Sequence, residues 1–141
     1  MTGILYPVFV QVALTFALFF WMGYERVKAV RTGEVKYGAD AGRQQVWPGR
    51  TGLVSNAFHN QLELPMLFYA AVAFCMLAGA VSNAILALAW GFALLRIIHA
   101  GIHTTYNNVP HRFLAYAAGA ACLLAIWIML FLHVTTGGFA Q

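Results

Sequence analysis

Residues 83–106 read NAILALAWGFALLRIIHAGIHTTY, an apolar run interrupted only near its end by Arg96, His99 and His103. A helix that crosses a bilayer needs about 20 mostly apolar residues, because each adds about 1.5 Å towards a hydrocarbon core about 30 Å thick. This stretch meets that requirement, and three others do as well: Ile4–Tyr24, a run from about Leu53 to Ala78, and Phe113–Thr135. The run from Leu53 is polar in its first half and apolar in its second. Backbone groups in lipid must be satisfied within the element, so these runs are expected to be helices. The expected fold is all-α, an integral membrane four-helix bundle. It forms a single domain over residues 1–141, with helices at about 4–24, 53–78, 83–106 and 113–135.

Composition points the same way. Of the 141 residues, 62% are hydrophobic and only 9% are charged, and the mean hydropathy is +0.73. Soluble domains carry about a quarter charged residues, so this chain cannot build a water-facing surface and its solvent is lipid. The formal charge of +4 does not indicate nucleic acid, because the basic residues gather in one short loop. Cys75 and Cys122 each sit inside an apolar run with no CxxC or metal-ligand spacing, and read as small core or lipid-facing side chains. The N-terminus has no basic region, its apolar run is long, and no small-residue cleavage pattern follows it. It is therefore expected to be a retained helix rather than a signal peptide.

The connections set an orientation. Residues 25–52 contain Arg26, Lys28, Arg31, Lys36, Arg43 and Arg50, with Gly33, Gly38, Gly42, Pro48 and Gly49 as breakers. Residues 79–82 form an uncharged hairpin, and 107–111 lead into Arg112. Cytoplasmic loops carry an excess of lysine and arginine, so 25–52 and 107–112 are expected in the cytoplasm, with both termini and the hairpin on the other side. Tyr6, Trp21, Tyr24, Trp90 and Tyr106 fall near span ends, where interfacial aromatics gather.

Ionisable groups inside a span are costly and usually face the bundle interior. In the second span Asn56, Asn60 and Glu63 are spaced i, i+4, i+7. In the third Arg96, His99, His103 and Tyr106 are spaced i, i+3, i+7, i+10. Each set falls on one helical face, and Arg112 opens the fourth span, so the two stripes are expected to share a polar chamber. Structural roles stand beside functional ones. Glu63 and Arg96 can pair as buried ions, His99 and His103 can be satisfied core histidines, Asn60 can bond a neighbouring helix, and Arg112 can be an interfacial anchor. His59, His111 and His133 fall off the stripes or in turns and read as ordinary. The H-x-x-x-H pair has a metal spacing, but five histidines are too few for a membrane di-iron centre, and no metal is expected.

These residues resemble a known family. Asn60-Gln-Leu-Glu63-Leu-Pro65 is similar to the N-x-x-E motif and following proline of the MAPEG superfamily, the membrane-associated proteins of eicosanoid and glutathione metabolism. Arg96-Ile-Ile-His99, then His103 and Arg112, is similar to its R-x-x-H stretch with a second arginine sixteen positions on. A bacterial branch with N-x-x-E-x-P-x-L-F-Y and R-x-x-H-x-x-x-H-x-T resembles the chain more closely. The resemblance implies a homotrimer of four-helix bundles in a bacterial inner membrane, with glutathione held between subunits. It also implies transferase or peroxidase chemistry on lipophilic electrophiles that arrive from the bilayer.

The residues suit that chemistry. Arg96 can hold a carboxylate through two parallel hydrogen bonds, Glu63 can accept from the ammonium, and Asn60 can bond the peptide backbone. His99, His103 and Tyr106 complete the implied glutathione-binding set. Arg112 is the implied catalytic residue, since a fixed positive charge lowers a thiol's pKa. Two departures stand out: Asn56 occupies a position where the family's transferases usually have a basic residue, and His103 one where they often have tyrosine. Those departures favour an alternative reading as a non-catalytic lipid-binding member. A small proton-coupled multidrug transporter is a third reading, although such proteins usually carry their glutamate in the first helix, which here has no acid before Glu25.

Overall fold

The computed structural model describes residues 2–35 and 47–137. Lys36, Gly38, Gly42 and Arg43 of the basic loop lie outside the described residues. After a short turn at Thr2–Ile4, the elements are α1 (Leu5–Arg31), α2 (Gly49–His59), a 3-10 turn at Asn60–Leu62, α3 (Leu64–Leu77), α4 (Asn83–Thr104) and α5 (Val109–Thr135). Taken with their short extensions, Thr2–Arg31, Gly49–Leu77, Asn83–Thr104 and Val109–Thr135 are each long and apolar enough to cross a membrane. The described fold is all-α, a four-helix membrane bundle, and the chain is an integral multi-pass membrane protein.

Three boundaries differ from the sequence expectation, each for a local reason. The first helix runs past Tyr24 to Arg31, so Arg26, Lys28 and Arg31 ride on helix rather than loop. A 27-residue helix is about 40 Å long at 1.5 Å per residue, so its last turns extend beyond the apolar layer, where cations suit the negative end of the helix dipole. The fourth helix begins at Val109, not Phe113. Asn108 Oδ1 accepts from the His111 N–H at 3.0 Å, and Pro110 occupies the first turn, where its missing N–H costs nothing.

The second span is two helices rather than one. Pro65 has no N–H to give the Gln61 carbonyl, and its ring crowds that carbonyl, so a continuous helix is broken one turn before it. The chain tightens to 3-10 geometry at Asn60–Leu62, leaves helical angles at Glu63 (φ −99, ψ −106) and restarts with Pro65 in the first turn of α3.

The apolar core lies towards the far end of the bundle. Phe68, Ala71, Val72 and Cys75 of α3 pack with Ile85, Ala89 and Phe92 of α4 and with Leu123, Ile126 and Leu130 of α5. The Phe68 and Phe92 rings stack at 4.5 Å. Small residues allow the close approach of α4 and α5 that lipid-embedded packing requires: a Cβ added at Gly91 would stand 3.3 Å from Cys122 Sγ. Large apolar side chains such as Phe9, Phe16, Phe20, Leu124 and Phe131 face outwards, which is unfavourable in water and expected in lipid. With the core filling one end, the polar stripes are left at the other, where α2, α4 and α5 meet.

Candidate functional site

The break at 60–63 and the turn between α4 and α5 place the site. α4 ends at Thr104, and Asn107 takes a positive φ of 45°, a conformation asparagine tolerates better than most residues. Its side chain is used as well: Asn107 Oδ1 accepts from Arg112 Nη1 at 2.7 Å, which fixes the guanidinium beside the first turn of α5.

A cavity of about 530 Å³ opens between these elements, lined by Asn56, His59, Asn60 and Glu63 from the second span, His99 and His103 from α4, and Val109, Arg112, Phe113 and Tyr116 from α5. Of the residues expected in the chamber, Asn56, Asn60, Glu63, His99, His103 and Arg112 are therefore brought together. Arg96 and Tyr106 do not reach its wall. Tyr106 is 62% exposed and lies by His111, with its hydroxyl 3.4 Å from His111 Nδ1. Its expected place requires the third helix to continue to 106, whereas α4 ends two residues earlier.

Arg96 is fully enclosed, with 0% exposure. It forms no ion pair with Glu63; among the described residues the one ion pair is Arg50 with Glu25. Instead Arg96 Nη2 donates to the Asn60 backbone carbonyl, at the point where the helix breaks. Its guanidinium also lies 5.5 Å from the centre of the Tyr116 ring. The Tyr116 hydroxyl in turn donates to Glu63 Oε2 at 3.4 Å. Tyr116 thus stands between the two groups whose spacing in the sequence allows a direct pair. Arg96 Nε and Nη1 are buried with no hydrogen-bond partner, as is His103 Nδ1.

His99 has a defined tautomer. Its Nδ1 lies 3.1 Å from the Arg112 carbonyl, which can only accept, so Nδ1 carries the proton. Its Nε2 lies 3.4 Å from Asn60 Nδ2, which can only donate, so Nε2 accepts. The neutral imidazole satisfies both contacts, and Asn60 Oδ1 remains the acceptor a ligand can use. His99 therefore links α2, α4 and α5 and orients two of the site's side chains.

Four lining residues, His59, Val109, Phe113 and Tyr116, are not among those the sequence singles out for the chamber. His59 reads as off the stripe, yet it is i+3 from Asn56 and i−4 from Glu63, on the same face. Its Nδ1 lies 2.7 Å from the Ser55 carbonyl. Tyr116 is one helical turn after Arg112 and so shares its face, a signal that is available once Arg112 is chosen. Phe113 is exposed and forms part of an apolar lip with Val109, at the N-terminal end of α5.

Glu25, the one acid of the first span, is buried at the far end of α1. It accepts from Trp21 Nε1 at 3.1 Å and lies 3.6 Å from Arg50 Nε. A carboxylate already paired at the rim of the span has the surroundings of a structural ion, not of a transport site. Among the described residues no group of three or more His, Cys, Asp or Glu side chains is placed to hold a metal ion.

Comparison with known proteins gives one result. The family model described as MAPEG family matches residues 4–132, most of the chain. Neither the curated proteins nor the solved structures yield a significant match.

Proposed function

Because the chain belongs to the MAPEG family, the membrane proteins of eicosanoid and glutathione metabolism, we propose that it is a membrane-bound, glutathione-dependent transferase or peroxidase acting on lipophilic electrophiles. The observation that carries this reading is the convergence of Asn60, Glu63 and Arg112 from two separate spans on one cavity.

The donor set fits glutathione, which offers two carboxylates, an ammonium, two amides and a thiol. Glu63 and Asn60 Oδ1 accept from its N–H groups, while Arg112 and the ring N–H of His103 offer donors to its anionic groups. Bound there, glutathione supplies a thiol for addition to an electrophile or reduction of a peroxide. Arg112 acts on that thiol: a fixed guanidinium nearby favours the thiolate over the thiol. Asn107 prevents the guanidinium from swinging away, and the break at Glu63 turns the acid into the cavity region rather than along a helix. The exposed Phe113 and Val109 provide an apolar edge at which a lipophilic co-substrate can enter from the bilayer.

The proposal includes a homotrimer with the cavity facing the cytoplasm, both termini on the opposite side, and a bacterial inner membrane as its location. Orientation rests on Arg26, Lys28, Arg31, Arg50 and Arg112, which all lie at the cavity end of the bundle. Titration calorimetry of glutathione into detergent-purified protein tests the reading. Saturable binding that weakens in Glu63→Gln supports it, and folded wild-type protein that shows no binding of glutathione overturns it. A second reading, a non-catalytic lipid-binding member, draws on one observation: among the described residues, Arg112 is the only lysine or arginine lining the cavity. Co-purified lipid without glutathione affinity would put that reading first.

A further inference from the structure

α1 contributes no side chain to the cavity, yet it reaches the turn that shapes it. Gln11 lies on the buried stripe of α1 with 0% exposure, and Gln61, in the 3-10 turn, is 1% exposed. Gln11 Nε2 donates to Gln61 Oε1 at 2.6 Å, and Gln61 Nε2 donates to the Ala57 carbonyl at 3.3 Å. Two buried amides thus run from the first span through the turn to the last full turn of α2. Hydrocarbon offers a primary amide no partner, so these bonds carry the pair inside the span, although Gln11 Oε1 is buried without one.

Gln61 sits between Asn60 and Glu63, the two second-span residues whose positions the site depends on most. The turn is therefore held from two directions: α4 through the Arg96 bond to the Asn60 carbonyl, and α1 through Gln11. A rotation of the 60–63 segment about its axis would carry Asn60 and Glu63 off the cavity wall, and both contacts oppose it. Pro65 explains why such holding is needed, since it removes a helical hydrogen bond that would otherwise fix this register.

We propose that Gln11 is a positioning residue: acting through Gln61, it sets where Asn60 and Glu63 stand, and so tunes ligand affinity from a helix that never touches the ligand. The part concerning glutathione rests on the function proposed above; the anchoring of the turn does not. The competing role for the amide pair is only to fasten α1 to the second span. Removing both amides at once separates the two roles. Replacing both partners of a buried hydrogen bond with apolar groups of similar shape is nearly neutral for stability, whereas removing one leaves an orphan.

The experiment compares Gln11→Met, Gln61→Met and the double variant with wild type. Backbone hydrogen exchange is monitored across residues 57–64, the unfolding midpoint is measured, and glutathione is titrated into each detergent-purified protein. The double variant is expected to unfold near the wild-type midpoint. Its amides at 60–63 should exchange about tenfold faster, and its glutathione dissociation constant should rise about fivefold, with each single variant weakening binding no less. Unchanged exchange at 60–63 in the double variant would overturn the anchoring whatever the ligand. Faster exchange with unchanged glutathione affinity would leave only the fastening role and overturn the positioning. If folded wild-type protein binds no glutathione, the functional proposal and the glutathione part of this one fall together, and the exchange comparison still decides the anchoring.

Discussion

Replacing Arg96 with methionine should change the stability of the bundle far less than removing a fully buried cation usually does. Placing an arginine at bilayer depth costs about 2.5–3.5 kcal/mol on insertion scales. Against this stand one charge-assisted hydrogen bond to the Asn60 carbonyl, worth about 1.5–3 kcal/mol, and the Tyr116 ring at 5.5 Å, worth about 0.5–2 kcal/mol. These contributions nearly cancel, so Arg96→Met should shift the unfolding free energy by no more than about 3 kcal/mol. The sharper test is the coupling between Arg96 and Glu63. A buried ion pair that loses one member costs about 3–5 kcal/mol, and most of that returns when the other member is neutralised.

The structure gives no such pair. No hydrogen bond or ion pair joins the two groups and Tyr116 stands between them, so a double-mutant cycle of Arg96→Met with Glu63→Gln should show a coupling of about 1 kcal/mol or less. Reversible unfolding in mixed detergent micelles measures all four corners. A coupling of about 3 kcal/mol or more, with Glu63→Gln rescuing Arg96→Met, would refute the argument and restore the direct ion pair that the sequence allows.

Arg112→Ala should move the rising limb of a glutathione-dependent rate to higher pH: without the guanidinium the bound thiol returns towards about 8.5, so less thiolate is present at neutrality. Rate profiles and ultraviolet thiolate absorbance check this, and an unshifted limb would remove Arg112 from the chemistry. Tyr116→Phe keeps the ring beside Arg96 and deletes the hydroxyl on Glu63, so glutathione affinity should fall by roughly 2–10-fold, the value of one neutral-to-charged hydrogen bond partly replaced by water. Tyr106→Phe should leave glutathione binding within about twofold, because the side chain stands outside the cavity; a calorimetric loss of tenfold would return it to the site. Pro65→Ala restores a backbone N–H for the Gln61 carbonyl. It should raise helicity by circular dichroism while weakening glutathione binding, and equal binding with higher helicity would show that the break does not matter.

The helices are legible in the sequence because lipid imposes a simple code: a long apolar run must satisfy its own backbone, and four such runs are visible. The chamber is legible because buried polar residues inside those runs are few and their spacing is helical. Features set by interruption of the helix are harder to read. Tyr106 joins the site only if the helical periodicity is extended past Thr104, where α4 ends. The second span reads as one helix although Pro65 stands in plain view, because a proline in a membrane helix is often only a kink. His59 and Tyr116 escape for a different reason, since each lies one turn from a site residue and looks like an ordinary side chain. The partner of Arg96 is beyond reach, because a backbone carbonyl has no signature in sequence.

That carbonyl connects the local chemistry to the fold. An arginine sealed in the bundle needs an acceptor, and a carbonyl where a helix breaks is more open to a bulky guanidinium than one shared with the N–H a turn later. Where the chain leaves helical angles at Glu63, the Asn60 carbonyl receives Arg96, the Asn60 side chain meets His99, and Gln61 lies against Gln11. Two helices, α1 and α4, are thus tied to one short turn, and the groups of that turn left facing the cavity, Glu63 and the Asn60 Oδ1 end, are the ones it can offer to a ligand. The same proline that weakens the second span as a helix therefore shapes the turn on which the proposed ligand binding depends.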